Sequence, residues 1–209
     1  MKLYFSPLAC SLASRIALYE AGAHASFVHV DGKTKQTEDG RDYRQVHPLG
    51  LVPALELEPG ELLTESAAIL QLIGERYPQA RLVPSEASER AGLHQWLSFI
   101  GTELHKALYV PLLDQTAAPE VKQYALAKAA SRLERVAARL SEHEYLLDAF
   151  SVADAYLFAV LNWSSVTPVS LQPWPAIRGY QARLLQRPSI ARAFADERAL
   201  YAQEMARQR

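Results

Sequence analysis

Hydrophobic and polar positions change period along the chain. Residues 2–5, Lys-Leu-Tyr-Phe, read as a short strand that Pro7 interrupts, and residues 11–21 then follow the helical period until Gly22 closes the segment. Phe27-Val28-His29-Val30 is a second β-branched and aromatic run, followed by a polar loop over residues 32–40. A brief segment over residues 41–46 leads into His47-Pro48-Leu49-Gly50-Leu51-Val52-Pro53, where two prolines and a glycine exclude a long helix. Residues 54–58 alternate with period two, Pro59-Gly60 marks a turn, and residues 61–64 supply the returning strand. Residues 65–77 are helical again, with Ala68, Ile69, Leu72 and Ile73 spaced for one buried face. The order β-α-β-(α)-β-β-α puts the first two strands parallel through a helical crossover and makes the last hairpin antiparallel.

Beyond residue 88 no strand pattern appears, only helical segments broken near Pro111, Pro119, residues 143–150, Pro168–Pro175 and Pro188. Trp96, Ile100, Leu104 and Leu108 recur every four residues as an apolar stripe, and Ser98, Gly101, Thr102 and His105 occupy another, smaller and more polar face. Ser151-Val152-Ala153-Asp154 is a capping box, in which each end satisfies a free backbone N–H of the other. These patterns predict an α/β domain over residues 1–78, built on a mixed four-stranded sheet with helices. A linker over 79–88 and an all-α domain over 89–209 follow.

Composition narrows the function. With 22 Lys and Arg against 23 Asp and Glu, the chain has no cationic surplus for phosphate backbones or anionic membranes. Its one cysteine excludes an internal disulfide, a CxxC pair and a cysteine-rich zinc site. Residues 1–7 lack the apolar stretch of a signal peptide and no run is long enough to span a bilayer, so a cytoplasmic protein is expected. No metal site is expected either: His24, His29 and His47 have no ligand at metal-binding spacing, and His94 is eleven residues from His105. Nor is there a GxGxxG, GxxxxGK or GxSxG motif.

Three places carry candidate chemistry. Cys10 directly precedes a helix, whose open N–H groups and dipole favour a thiolate, with Ser11 beside it to cap the helix or donate to the sulfur. A buried apolar role for Cys10 fits its position equally well. Val52-Pro53 stands before a strand, where a cis bond would turn the Val52 backbone outward to pair with an extended peptide; the plainer reading is the start of an edge strand. Thr64-Glu65-Ser66 opens a helix after a strand, so Ser66 and the first helical N–H groups could hold a carboxylate and Glu65 an ammonium, although ordinary capping gives the same pattern. In the helical part, position alone favours a solvated His105 and a core role for Trp163.

Taken together and in order, Tyr4-Phe5-Ser6-Pro7, Ala9-Cys10-Ser11-Leu12, Val52-Pro53-Ala54-Leu55, Leu63-Thr64-Glu65-Ser66-Ala67-Ala68-Ile69, Thr102-Glu103-Leu104-His105-Lys106 and residues 150–158 resemble the bacterial beta-class glutathione S-transferases over nearly the whole chain. The resemblance implies a thioredoxin-like N-terminal domain, a homodimer, and glutathione as co-substrate with no other cofactor. It implies that Cys10 lies against the glutathione sulfur, that Glu65 and Ser66 hold the γ-glutamyl group, that Val52, followed by Pro53, pairs with the cysteinyl backbone, and that Lys35 binds the glycyl end. His105 would reach the side of the sulfur and Trp163 would border the site. Phe5 stands where the family often has Tyr and Ser98 where it often has Asn, while His47, Leu49 and Leu51 make the Val-Pro loop more apolar.

The reading that follows is a transferase joining the glutathione sulfur to a hydrophobic electrophile, with Cys10, Ser11 and His105 steadying the sulfur. Glutathione-dependent disulfide exchange through Cys10 is a second mode. Glutathione would be held by Lys35, Val52, Pro53, Glu65, Ser66, Ser98 and Trp163, and the electrophile by a face around Tyr109, Leu112 and Leu113. The alternative is a non-catalytic protein of the same fold that binds hydrophobic ligands or a protein partner.

Overall fold

In the computed structural model, which describes residues 1–207, four short strands form one mixed sheet: β1 (Lys2–Phe5), β2 (Ser26–His29), β3 (Ala54–Glu56) and β4 (Leu62–Thr64), in the order β2-β1-β3-β4. Strands β1 and β2 are parallel, whereas β3 runs antiparallel to both β1 and β4. The parallel pair is joined through α1 (Leu12–Glu20), which fully buries Leu12, Ala13, Ile16 and Ala17; α2 (Ser66–Arg76) follows β4 and buries Ile69, Leu70 and Ile73. On α2 the buried face is centred on Ile69 and Ile73, with Ala68 and Leu72 at its half-exposed margin.

The chain divides into two units, residues 1–82 with the segment from Pro188 onward, and Val83–Arg187. The boundary therefore differs from the sequence expectation, because helix α9 (Pro188–Arg207) packs on α1. It is tied there by Arg15 to Glu197, by Tyr19 to Asp196 and by Ser189 to Glu20. A helical period shows that α9 has a buried stripe, but not which unit receives it.

The second unit is helical, as expected: α3 (Ala87–Phe99), a widened π-helical stretch (Ile100–Tyr109), α4 (Val110–Leu113), α5 (Pro119–Ala127), α6 (Ala129–Glu142), α7 (Val152–Leu161) and α8 (Pro175–Leu184). Pro111 does not break the chain; helix continues from residue 87 to 113 through the π segment. A proline ring crowds the carbonyl four residues back, and a widened turn gives it room. Trp96, Ile100, Leu104 and Leu108 are all buried, and every residue of α7 is buried too. At the start of α7 the capping box is complete: Ser151 Oγ accepts from the Ala153 N–H and Asp154 Oδ2 from the Ser151 N–H.

Candidate active site

The sheet register gathers the candidate residues of the first unit at one end. Tyr4 pairs with Ala54, and Ala54 with Thr64, so the loop after β1, the Val52-Pro53 segment before β3 and Glu65-Ser66 after β4 emerge side by side. The parallel partner β2 ends at the same edge and delivers the loop carrying Lys35.

Cys10 is buried, and its thiol donates to the Val52 carbonyl at 3.1 Å. The Val52–Pro53 peptide bond is cis. The Ser11 hydroxyl is turned the other way, donating to the Ser6 carbonyl at 3.2 Å and accepting the Ser6 N–H at 3.3 Å, and it makes no cap hydrogen bond to α1. That corrects the expectation that Ser11 caps the helix or reaches the sulfur: the hydroxyl closes the 6–11 loop instead. Position 8 in the same loop is left-handed, with Leu8 at φ 59°, a conformation that costs a non-glycine residue about 1 kcal/mol or more. The Leu8 N–H is held at 2.8 Å by Glu197 of α9.

Glu197 is fully buried, with its other oxygen 2.9 Å from Arg15 Nε in a contact too bent to be a hydrogen bond. Arg15 itself is sandwiched at 4.1 Å from both the Phe5 and Phe27 rings. Burial outweighs the attraction of Arg15 and pushes the Glu197 carboxyl up to about 7. Between about pH 4.5 and 7 the folded state then holds a proton that the unfolded chain has lost, so this group lowers stability as pH rises through that window. Glu197→Gln keeps an acceptor for Leu8 but cannot titrate. The difference in urea-unfolding free energy, wild type minus variant, is expected to fall by on the order of 3 kcal/mol from pH 5 to pH 8. Parallel pH profiles for the two proteins would refute it.

Lys35 is also left-handed at φ 59°, and its stem crosses Gly50, where an added Cβ would sit 3.4 Å from Lys35 Cδ. Gly50, at φ 60°, thus lets the lysine lie against the Val-Pro loop. The same loop is anchored by Tyr43, fully buried, whose hydroxyl donates to the Leu51 carbonyl at 2.8 Å. Leu49 and Leu51 are 74% and 44% exposed, so the loop surface is apolar.

Glu65 has φ 70° at the point where β4 hands over to α2, and Ser66 is buried behind it. No side chain caps α2, so its first N–H groups stay open as an anion-binding end. Four non-glycine residues among those described have positive φ: two, Lys35 and Glu65, are candidate site residues, and Leu8 lies two positions before Cys10. Strain concentrated in this way is typical of binding sites.

In the second unit His105 is buried rather than solvated. Its Nδ1 lies 2.7 Å from the Tyr156 hydroxyl, and its ring packs on Trp163 with centroids 5.0 Å apart. Burial, with a smaller push from Lys106, lowers its pKa to about 4, so the imidazole is neutral at physiological pH and keeps one ring nitrogen beyond the Tyr156 bond. Tyr109 packs on Trp163 at 5.8 Å and is fully buried, with no hydrogen bond to its hydroxyl among the described residues. Leu112 is half-buried, while Leu113 and Ser98 are exposed. Tyr109, Leu112 and Leu113 consequently do not form one continuous open face, since Tyr109 is in the core and Leu113 is exposed.

Comparison with known proteins matches residues 1–75 to the N-terminal domain of glutathione S-transferases and residues 101–188 to their C-terminal domain. Glutathione S-transferase GstA of Escherichia coli O157:H7 is 38% identical, covering 94% of this chain and 98% of that protein. This chain belongs to the glutathione S-transferase family. Among solved structures, a beta-class glutathione S-transferase of Sphingomonas chungbukensis is 42% identical with a TM-score of 0.89, and a sphingomonad glutathione S-transferase complexed with glutathione is 41% identical with a TM-score of 0.89. Each covers 94% of this chain and 98% of its own. The transferase is of the beta class, with a thioredoxin-like N-terminal fold.

Within this transferase the neighbouring aromatics Tyr4 and Phe5 serve different partners. Tyr4 points its hydroxyl to Glu56 at 3.0 Å and stacks near Tyr43, while Phe5 packs against Arg15. Tyr43, Arg15, Glu197 and Tyr156 support the candidate residues and were not singled out from the sequence. A fully buried tyrosine or glutamate inside an otherwise polar stretch leaves no periodic signal, since its burial is decided by elements distant in the chain.

Proposed function

We propose that this transferase joins the sulfur of glutathione to hydrophobic electrophiles, and that Cys10 gives it a second, glutathione-dependent thiol-disulfide exchange activity. One observation carries the reading: at a single sheet end, the Cys10 sulfur touches the Val52 carbonyl, the Val52 N–H makes no hydrogen bond among the described residues, and the uncapped start of α2 stands alongside. An extended peptide pairs with Val52 as an added strand, its α-carboxylate fits the N–H groups at Ser66, and Glu65 takes its ammonium. Lys35 takes the carboxylate at the glycyl end, and Pro53 fixes the backbone beside Val52. That a sphingomonad relative is complexed with glutathione supports glutathione as the peptide.

In conjugation, the glutathione thiolate forms a C–S bond to the electrophilic carbon while the leaving group departs with its electron pair; the thiol proton goes to solvent. Binding and orientation supply most of the rate. His105, as a neutral imidazole, is assigned to steady the sulfur, with Ser11 acting through the 6–11 loop it closes. Ser98 and Trp163 are proposed to contact the ligand, and Leu112 and Leu113, backed by Tyr109, to meet the electrophile. The protein is proposed to work as a cytoplasmic homodimer. Among the described residues no helix is long and apolar enough to cross a membrane.

Retention on immobilised glutathione together with turnover of an aryl halide is the expected result; failure to be retained would refute both activities. Gly50→Ala tests the Lys35 placement. A Cβ at φ 60° strains the loop against which the lysine stem lies, so KM for glutathione should rise about tenfold with little change in kcat.

A further inference from the structure

The carbonyl that a bound glutathione needs is already in use. In the structure the Val52 C=O accepts the Cys10 thiol at 3.1 Å, while the N–H of the same residue makes no hydrogen bond among the described residues. A residue that pairs with an added strand exchanges both groups at once, N–H to carbonyl and carbonyl to N–H. The cysteinyl N–H of glutathione therefore arrives at an oxygen occupied by a thiol, a much weaker donor than an amide.

We propose that binding of the glutathione backbone displaces the Cys10 thiol from Val52 and thereby switches Cys10 toward thiolate only when the peptide is in place. The inference rests on the glutathione reading above and adds to it a regulation of the thiol. While Val52 is the acceptor, the sulfur must keep its proton: a thiolate has nothing to donate, and at 3.1 Å it would face the negative end of the carbonyl dipole. Once the amide N–H takes that oxygen, the bond that favoured the neutral form is lost. The position ahead of α1, whose dipole favours the anion, is unchanged by that loss. The proton passes to solvent. No charged side chain needs to move, and the groups that fix the geometry, Tyr43 on the Leu51 carbonyl and Glu197 on the Leu8 N–H, are buried and stay in place. In the empty enzyme the reactive sulfur is thus kept as a protonated thiol.

Linkage makes the effect reciprocal: if the peptide favours thiolate, thiolate favours the peptide by the same factor. Because the chain has one cysteine, its ionisation can be followed by thiolate absorbance, with a Cys10→Ser variant as baseline. The probe is a glutathione analogue in which 2-aminobutyrate replaces cysteine, since it keeps the backbone and has no sulfur. Saturating analogue is expected to raise the thiolate fraction about fivefold at a pH below the Cys10 midpoint, the equivalent of one ordinary hydrogen bond. By calorimetry the analogue should bind about fivefold tighter above that midpoint than below it, relative to Cys10→Ser. Binding with an unchanged or smaller thiolate fraction overturns the coupling while leaving the glutathione reading intact. If the analogue does not bind at all, the glutathione reading falls and the coupling with it.

Discussion

Asp154→Ala should unfold the helical unit at temperatures where the wild type is intact. The Asp154 carboxylate is fully buried and accepts from four donors: the Leu146 N–H at 3.0 Å, the Ser151 N–H at 2.9 Å, the Ser151 hydroxyl at 3.0 Å and the Tyr180 hydroxyl at 2.8 Å. Burial raises its pKa and these bonds oppose the rise, so they are what makes a charge tolerable there. Removing the carboxylate orphans the Leu146 and Ser151 N–H groups, each costing about 1–3 kcal/mol, leaves the Tyr180 hydroxyl only its 3.5 Å contact with the backbone carbonyl of residue 154, and opens a cavity beside α7. The expected loss is about 4 kcal/mol or more, a large share of a typical domain's stability. Asp154→Asn should recover part of it, because an amide oxygen still accepts one or two of the four. Calorimetric unfolding of the three proteins measures this directly; a loss below about 1 kcal/mol for the alanine variant would mean that the network does not carry the helix start.

How far the sequence revealed this structure depends on the range over which each feature is decided. The capping box at Ser151 was legible because both partners lie within one helical turn, and the succession of strands and helices along the chain was legible because the alternation and the turn signals are local. Val52-Pro53 and Glu65-Ser66 were legible as candidates for the same reason, although only the Ala54 to Thr64 register brings them together. The rest is decided at long range. Glu197 sits in a helix whose polar residues all look alike, and its burial under the Cys10 loop is set by the packing of α9 on α1. His105 reads as solvated beside Lys106 until Tyr156, fifty-one positions on, supplies its partner. Ser11 had two plausible local partners and took a third, the Ser6 backbone, because the turn after β1 folds back on itself. The widened helix before Pro111 has no local signature except the proline, and that suggested a break.

Cys10→Ala should abolish disulfide exchange while leaving conjugation measurable. In exchange the Cys10 thiolate attacks one sulfur of a glutathione-containing disulfide, forming a Cys10–glutathione bond and releasing the other partner as thiolate. A free glutathione thiolate then attacks the mixed disulfide, freeing Cys10 and leaving oxidised glutathione, so the net exchange converts the glutathione-containing disulfide and one free glutathione into oxidised glutathione and the thiolate of the other partner. The chain has one cysteine, so no other residue can form the mixed disulfide and the alanine variant should fall to the uncatalysed rate. Conjugation needs the glutathione sulfur to be placed, and the proposed backbone pairing at Val52 does this without the Cys10 sulfur. Losing one sulfur neighbour should cost it about tenfold, the weight of one hydrogen bond to a charged group. Cys10→Ser sharpens the test, because a serine hydroxyl can donate a hydrogen bond to the glutathione sulfur but cannot form the mixed disulfide. It should match alanine in exchange and lie nearer the wild type in conjugation. Exchange that survives in either variant would remove Cys10 from the proposed cycle, and conjugation that vanishes in both would place Cys10 in the conjugation chemistry itself.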